Sequence, residues 1–333
     1  MEANSDSLVS MIVPAYNVED YINGCVESLV HQSHPDLEII VVNDASTDKT
    51  SGAVLEGFTR DSRVRLIDLE HNVGVHAARA RGIREARGRF IGFVDSDDKV
   101  APHMVERLFE VAQAHHADIV VCGAEKVSES GESLGRKVRF THSFARHHHL
   151  LEAFCSRQYG SGVLWNKLYK AELIKKHGTI PLDRKVDASE DYVVNVGCFS
   201  EATCVATVAD TLYFYLIRAD SASRNEDKAR HFVRIMAAYA SCLEIYADFS
   251  PQQKEEVTKL FASQLCFSDY QIHAVEQLYR HDENLRESLS SLSALYPAGV
   301  YTLIHAFHRP ENASNHGFIK YAGQVHKAIR KWF

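Results

Sequence analysis

Residues 89–98 read RFIGFVDSDD, an apolar run that ends in three carboxylates and a serine. Apolar residues occupy every position from 90 to 94, a pattern typical of a strand buried on both faces. Such a strand delivers Asp95, Asp97 and Asp98 to one edge of a sheet. Like charges crowded beside a core repel one another, so we expect a compensating cation there. Oxygen ligands favour magnesium or manganese, which need only one or two protein carboxylates beside a substrate phosphate.

Helix capping is the alternative explanation for these acids. The pattern at 102–114 predicts a helix, and an aspartate just before it would accept from the first free N–H groups. We expect one of the three carboxylates to do this, but not all three.

Strand and helix patterns alternate along the first 125 residues. Further strands are predicted at 8–16, 37–42, 64–69 and 118–123, and Asn17 is the predicted N-cap of the first helix. The alternation is typical of a doubly wound sheet, whose ligands bind beyond the carboxyl ends of the strands. The first three elements contain neither G-x-G-x-x-G nor G-x-x-x-x-G-K-[ST]. We therefore expect a metal, and not a glycine-rich loop, to hold any phosphate.

Composition narrows the class of protein. With 333 residues, 45% hydrophobic and 24% charged, the chain is globular and long enough for a main domain with a smaller appendage. A net charge of −7 counts against a general nucleic-acid binder. Seven scattered cysteines without a C-x-x-C pair favour reduced thiols in a cytosol. The polar N-terminus predicts no signal peptide, and no apolar stretch approaches the ~20 residues of a membrane span.

Seven segments, taken in order, resemble the family 2 glycosyltransferases, which are inverting enzymes of the GT-A fold that use nucleotide sugars. The segments are MIVPAYN, VVNDASTD, NVGVHAARARGI, FVDSDD, WNKLY, SED and YFYLIRADSAS. Together they run from about Ser10 to Ser223. The resemblance implies an α/β GT-A catalytic domain over 1–223, with a doubly wound mixed sheet, and leaves 224–333 as a helical C-terminal region.

The first segments imply a nucleotide site. Pro14, Ala15 and Tyr16 match the strand end that borders the base, where a tyrosine ring offers a stacking face. A tyrosine buried in the sheet is the alternative. Asp44 matches the carboxylate that accepts the imide hydrogen of a uracil, which favours a UDP-sugar, although it could instead cap the next helix. Arg79 matches a fixed cation near the base or the phosphates.

Asp95, Ser96 and Asp97 match the DxD motif of the family. Asp95 is implied to face the ribose and, with Asp97, to lie at a manganese or magnesium ion that bridges the two phosphates. Ser96 is included in the nucleotide site. The chain departs from the family at Ala80, where an asparagine usually follows the arginine.

Glu190 and Asp191 match the second carboxylate site of the family. Asp191 is implied to be the general base that deprotonates the acceptor hydroxyl, with Glu190 orienting the loop or the acceptor. Capping by Ser189, with two acids favoured by the helix dipole, is the alternative. Direct displacement would invert the anomeric centre.

The remaining matched segments imply contacts with the sugars. Trp165, Asn166 and Lys167 match a segment beside the acceptor and the donor sugar, and the indole is expected to stack on a sugar face. Arg218 is expected to approach the diphosphate.

The C-terminal region shows helical periodicity only, and its last segment is basic and amphipathic. Residues 317–333 are therefore expected either to adsorb to an anionic membrane surface or to dock on their own domain or a second subunit, as in a homodimer. The first alternative would place a cytoplasmic enzyme on the inner face of the membrane, close to a lipid-linked acceptor.

These patterns and the resemblance together predict a bacterial hexosyl- or N-acetylhexosaminyltransferase of surface-polysaccharide synthesis. It would move a sugar from a UDP-sugar to a glycan or lipid-linked acceptor, without nucleic acid. Two alternatives stay open. A nucleotidyltransferase would share the metal and the sheet, and a non-catalytic nucleotide- or glycan-binding protein would share the fold.

Overall fold

The computed structural model describes residues 6–58, 60–182, 186, 189–218, 228–264 and 281–299. Two compact units are present, one formed by 1–181 with 190–224 and the other by 182–189 with 225–333. Residues 182–189 thus group with the C-terminal part of the chain, whereas the sequence suggested a division into two continuous segments.

In the first unit, strands and helices alternate as expected. The elements in chain order are β1 (Val9–Ala15), α1 (Ile22–Val30), β2 (Leu37–Asn43), α2 (Thr50–Phe58), β3 (Val64–Asp68), α3 (Val75–Glu85), β4 (Phe90–Phe93), β5 (Lys99–Val100), α4 (Met104–His115), β6 (Ile119–Val127), β7 (Ser133–Val138), β8 (Phe144–Arg146), α5 (Leu150–Cys155), β9 (Lys167–Lys170), α6 (Ala171–Gly178), α7 (Glu190–Glu201) and β10 (Val205–Leu216).

The ten strands of the described residues form one mixed sheet. Its order is β3-β2-β1-β4-β9-β6-β10-β5, with β7 additionally paired to β6 and β8 paired to β10. The first four strands are parallel, and β9 is antiparallel to both β4 and β6. Every residue of β1, β2 and β4 is buried, as their apolar sequences predicted. The predicted fold class is confirmed.

The first helix begins differently from the prediction. Tyr21, not Asn17, is the N-cap of α1. Asn17 has a left-handed backbone with φ of 52°, and its side-chain oxygen accepts from the backbone N–H of Thr47 at 2.8 Å. An asparagine tolerates this conformation because its short amide bonds locally. It therefore joins the loop after β1 to the loop after β2, and both loops lie at the carboxyl edge of the sheet.

The second unit is helical in its described residues. Its helices are α8 (Lys228–Ile245), α9 (Pro251–Ala262) and α10 (Glu283–Leu295). Ser250 and Gln253 form a capping box at the start of α9, which satisfies two otherwise free N–H groups. The buried hydroxyl groups of Tyr239 and Thr258 form a 2.5 Å hydrogen bond between α8 and α9. The basic segment 317–333 lies outside the described residues.

Candidate active site

The carboxyl ends of three neighbouring parallel strands carry the predicted nucleotide site. The backbone N–H of Asp44 donates to Ala15 at 2.8 Å, and that of Val94 donates to Ile12 at 3.0 Å. These bonds extend the pairing of β1 with β2, and of β1 with β4, by one residue beyond the carboxyl ends of β2 and β4. The loops that follow therefore leave the sheet side by side.

Asp44 is a buried carboxylate that holds the turn before α3. Its two oxygens accept from the backbone N–H groups of Val73 at 2.7 Å and Gly74 at 2.9 Å. Gly74 has φ of 86°, a conformation that favours glycine. The capping alternative is wrong, because Asp48 accepts from Thr50 at the start of α2 instead. Each oxygen of Asp44 keeps a second lone pair for a ligand donor.

Tyr16 projects from the end of β1 into solvent. It is 48% exposed, which excludes the alternative of a tyrosine buried in the sheet. The preceding Pro14 and Ala15 are buried strand residues. An open aromatic face therefore lies beside the Asp44 loop.

Arg79 lies at the centre of the site and joins three carboxylates. Its Nη1 donates to Glu190 at 2.9 Å and to Asp191 at 2.7 Å, and its Nη2 donates to Asp95 at 2.9 Å. The side chain is only 5% exposed. The sequence predicted a cation for the base or the phosphates, whereas the guanidinium links the end of β4 to the first turn of α7. We call Arg79, Asp95, Glu190 and Asp191 the arginine cluster.

Burial and charge shift the pKa values of the arginine cluster. Burial, reinforced by the charge of Asp191, raises the pKa of Glu190 to about 7 although Arg79 opposes the shift. Burial also raises the pKa of Asp95. For Arg79, burial lowers the pKa, but the three carboxylates together raise it by a larger amount, so the pKa lies above its ordinary value. Arg79 thus stays charged. Its single positive charge faces three carboxylates, and burial disfavours the ionised form of all three at once.

Asp191 is fixed from a second side by the loop before β9. Its other carboxylate oxygen accepts from the backbone N–H of Leu164 at 3.1 Å. Both acids lie in the first turn of α7, where the helix dipole favours negative charge. Capping of the helix alone does not account for carboxylates that converge on an arginine.

Lys167 fixes the backbone of that loop by hydrogen bonds. Its ammonium, fully buried, donates to the carbonyl oxygens of Ser161 at 3.2 Å and Val163, and to the side-chain oxygen of Asn166 at 2.9 Å. Asn195 donates to the carbonyl of Gly162 at 2.7 Å. Three consecutive loop carbonyls are therefore bonded by side chains, as buried polar groups require.

Trp165, Asn166 and Lys167 do not face the sugars as predicted. The indole of Trp165 is 2% exposed and stacks on the rings of Tyr213 and Tyr215, with centroids 4.2 and 5.7 Å apart. Asn166 and Lys167 are fully buried in hydrogen bonds within the protein. These side chains form the support beneath the site, and the expected stacking of Trp165 on a sugar is wrong because its faces are already covered.

Tyr213 ties the DxD segment to β10, a role that the sequence did not reveal. Its hydroxyl donates to Asp98 at 2.6 Å and accepts from the backbone N–H of Asp95 at 3.1 Å. Asp98 also accepts from the N–H of Leu216 at 2.7 Å. Burial raises the pKa of Asp98 well above its ordinary value, helped by Asp95 and Asp97. Asp98 is thus a structural anchor, while Asp95 and Asp97 remain accessible. The sequence could have indicated this role through the spacing of Tyr213 and Tyr215, because residues two positions apart in a strand lie on the same face of the sheet.

Asp95 and Asp97 are the candidate ligands of the predicted divalent cation. Their side chains are 29% and 28% exposed, so both reach the surface at the sheet edge. Nowhere in the described ranges do three or more His, Cys, Asp or Glu side chains group as a metal site. Two carboxylates suit magnesium or manganese, which keep water and substrate phosphates as further ligands. Ser96, between them, is buried.

Arg218 lies beside Asp97 with its Nη1 at 3.4 Å from the carboxylate, and its guanidinium covers the ring of Tyr21 at 4.9 Å. A cleft of about 530 Å³ opens next to Asp97. It is lined by Asp20, Tyr21, Gly24, Asp97, Lys99, Glu125, Val127, Ser128, Glu129, Gly131, Ser133, Phe214 and Leu216. Arg218 therefore lies beside a carboxylate of the DxD segment, and its approach to a diphosphate stays a prediction.

No described helix is long and apolar enough to span a bilayer.

A family profile and two related bacterial proteins match this chain. The profile of glycosyl transferase family 2 matches residues 10–178. The uncharacterized glycosyltransferase EpsJ of Bacillus subtilis is 37% identical over 216 residues, which cover 62% of this chain and 60% of EpsJ. The succinoglycan biosynthesis protein ExoO of Rhizobium meliloti is 33% identical over 248 residues, covering 72% and 69% of the two chains.

Among solved structures, S. aureus TarS 1-349 in complex with UDP-GlcNAc has the same fold. Its TM-score is 0.67 at 22% identity, with 90% of this chain and 87% of the TarS chain covered. The profile match spans half of the sequence, and it includes the arginine and the DxD segment that the fold brings to one edge. The chain belongs to glycosyl transferase family 2.

Proposed function

We propose that this protein transfers a sugar, with inversion, from a UDP-sugar to a hydroxyl of a glycan or lipid-linked acceptor in cell-surface polysaccharide synthesis. The observation that carries the proposal is the arginine cluster. A single guanidinium joins Asp95, from the DxD segment, to Asp191, the candidate base. A transfer reaction needs a donor-binding group and a base at a fixed separation, and the shared arginine supplies that constraint.

In the proposed reaction, an acceptor hydroxyl attacks the anomeric carbon of the donor. The new carbon–oxygen bond forms as the bond to the diphosphate breaks, and UDP leaves with that electron pair. Asp191 takes the hydroxyl proton during the attack, which lowers the barrier for a poor nucleophile. A divalent cation held by Asp95 and Asp97 would stabilise the charge that develops on the diphosphate.

The donor assignment rests on the first two loops. Tyr16 offers an exposed ring, and Asp44 holds a carboxylate in a fixed orientation beside it. TarS, which shares the fold, was solved with UDP-GlcNAc and with UDP. A uracil base between the tyrosine ring and the carboxylate would use both groups, because its imide N–H is a donor.

The experiment is UDP, GDP or dTDP release from a panel of nucleotide sugars, with manganese, magnesium or chelator. Wild type is compared with Asp191→Asn and with Glu172→Gln, which removes an exposed carboxylate. We expect metal-dependent UDP release from one donor, a loss of at least about 100-fold in Asp191→Asn and no change in Glu172→Gln. Release of another nucleotide would overturn the donor, and pyrophosphate release would instead indicate a nucleotidyltransferase.

We also propose that the protein attaches peripherally to the inner face of the cytoplasmic membrane through residues 317–333. Four of these residues are Lys or Arg, and none is Asp or Glu. Deletion of 317–333 is expected to abolish sedimentation with anionic liposomes while thermal unfolding stays unchanged. Equal sedimentation of both proteins would refute this attachment.

A further inference from the structure

The hairpin of β6 and β7 has an irregular register next to the active site. Ala124 pairs with Val138, but the next residue, Glu125, pairs with Arg136. Lys137 is therefore the extra residue of a β-bulge. Bulges redirect a side chain and occur often beside active sites.

The bulge places Lys137 on the aromatic support of the site. Its ammonium lies 4.2 Å from the ring centroid of Tyr215, and that ring stacks on Trp165. Trp165 follows Leu164, whose N–H donates to Asp191. A continuous series of contacts thus leads from the candidate base to the lysine.

The two faces of this hairpin differ in charge. Glu125, Val127 and Glu129 line the cleft beside Asp97, together with Phe214 and Leu216 of β10. Side chains alternate between the faces of a strand, so Lys126 faces away from that cleft. Tyr215, on the same strand as Phe214 and Leu216, likewise packs on the opposite face, under Lys137. The face toward Trp165 is therefore the basic one.

Neither Lys126 nor Lys137 forms an ion pair with a carboxylate in the part of the chain that the structure describes. Lys170 and Lys176, by contrast, lie 3.5 Å from Glu172 and 2.7 Å from Glu201. Lys137 is exposed as a residue, and its ammonium lies over the Tyr215 ring. Partial burial lowers the pKa of Lys137, and the charge of Lys126 lowers it by a smaller amount, while Asp98 and Asp95 raise it. Lys126 and Lys137 lie on the paired strands β6 and β7, and a bound anion would stabilise both charges.

We propose that Lys126 and Lys137 bind a phosphate group of the acceptor, so that the acceptor is an anionic, phosphate-bearing glycan or lipid. The proposal rests on the proposed function, because it takes the Trp165 side of Asp191 as the acceptor side. The reacting hydroxyl would reach Asp191 while a phosphate elsewhere on the same molecule bonds to the lysines.

The test is covalent labelling with pyridoxal 5′-phosphate, whose aldehyde forms an imine with a lysine that borohydride then reduces. Pyridoxal, which lacks the phosphate, is the matched reagent. A lowered amine pKa speeds both reactions equally. The 5′-hydroxyl of pyridoxal closes onto its aldehyde as a hemiacetal, which slows its reaction with every lysine alike. The rate ratio at Lys137 is therefore divided by the ratio at Lys170, and the quotient isolates the phosphate contribution. The full-length protein is labelled, digested and quantified by peptide mass spectrometry, with Lys170 as the internal control lysine.

We expect the preference of Lys137 for the phosphate reagent over pyridoxal to exceed that of Lys170 by about ten-fold, because one charge-assisted contact is added. Lys126→Gln should reduce this excess. Equal preferences at Lys137 and Lys170 would overturn the anion site.

Competition then identifies the source of the phosphate. Short poly(glycerol phosphate) should protect Lys137, whereas UDP with manganese should not. Protection by UDP alone would overturn the acceptor assignment and give the lysines to the donor diphosphate. Labelling does not depend on turnover, so a preference at Lys137 without UDP release from any donor would refute the proposed function and leave the anion site intact.

Discussion

Arg79→Lys tests whether the arginine cluster is the functional centre of the protein. Lysine keeps the positive charge but has one nitrogen, whereas the guanidinium uses Nη1 for Glu190 and Asp191 and Nη2 for Asp95. The variant therefore loses at least one charge-assisted hydrogen bond among buried groups, worth ~1.5–3 kcal/mol. If that bond positions the reacting groups, kcat/KM falls roughly 10- to 150-fold, because each ~1.4 kcal/mol is a factor of ten.

The assay is UDP release from the donor that wild type turns over, combined with urea unfolding. We expect the free energy of unfolding to fall by about 2 kcal/mol as well. Arg81→Lys is the matched control on the same helix, since Arg81 is 48% exposed and pairs only with Glu85 at 3.0 Å among the described residues. A surface pair at this spacing contributes ~0.3–0.5 kcal/mol. A kcat/KM for Arg79→Lys within three-fold of wild type, matching the control, would refute the reasoning.

Three further predictions concern the supports of the site. The free energy of unfolding at pH 8, taken relative to that at pH 5, should be roughly 2.5 kcal/mol higher in Glu190→Gln than in wild type. The native pKa of Glu190, about 7, lies above its unfolded value, so wild type loses stability as the pH rises through that window. The same pH dependence of the free energy of unfolding in both proteins, measured with urea, would contradict this. Gly162→Ala should destabilise by more than ~2 kcal/mol in thermal unfolding, because its Cβ would lie 2.1 Å from the Tyr192 ring, whereas Gly52→Ala, with open space in a helix, should stabilise by ~0.5–1 kcal/mol. Lys167→Met should leave buried carbonyls without donors and lower kcat more than it raises the KM for the donor; a change in KM alone would show that the loop does not position the base.

The strands and their carboxyl ends could be predicted because their residues are neighbours in sequence. Consecutive apolar residues mark β1, β2 and β4, and polar residues follow each of them directly. The exposed ring of Tyr16 and the buried carboxylate of Asp44 lie where the strand ends required. The resemblance to a family added the carboxylates of α7.

The contacts of Arg79 could not be predicted in the same way. Its partners lie 16, 111 and 112 positions away, and the tertiary fold brings α3, α7 and the end of β4 together. Trp165 was misassigned for a related reason. A tryptophan in a loop suggests a sugar platform, but the tyrosines that cover it come from β10, far along the chain. Asn17 was misassigned because its amide bonds to another loop and not to its own helix.

The position of β10 in the sheet has a consequence for synthesis of the chain. It pairs with β6 on one side and β5 on the other, although both of those strands leave the ribosome about a hundred residues earlier. Until Val205–Leu216 emerges, each has an open edge, and open edges invite pairing with other chains. Asp98 and Trp165 also await their tyrosine partners from β10. A nascent chain that stalls before residue 205 should therefore aggregate readily and hold no competent site, whereas one released after residue 216 contains every described strand of the sheet.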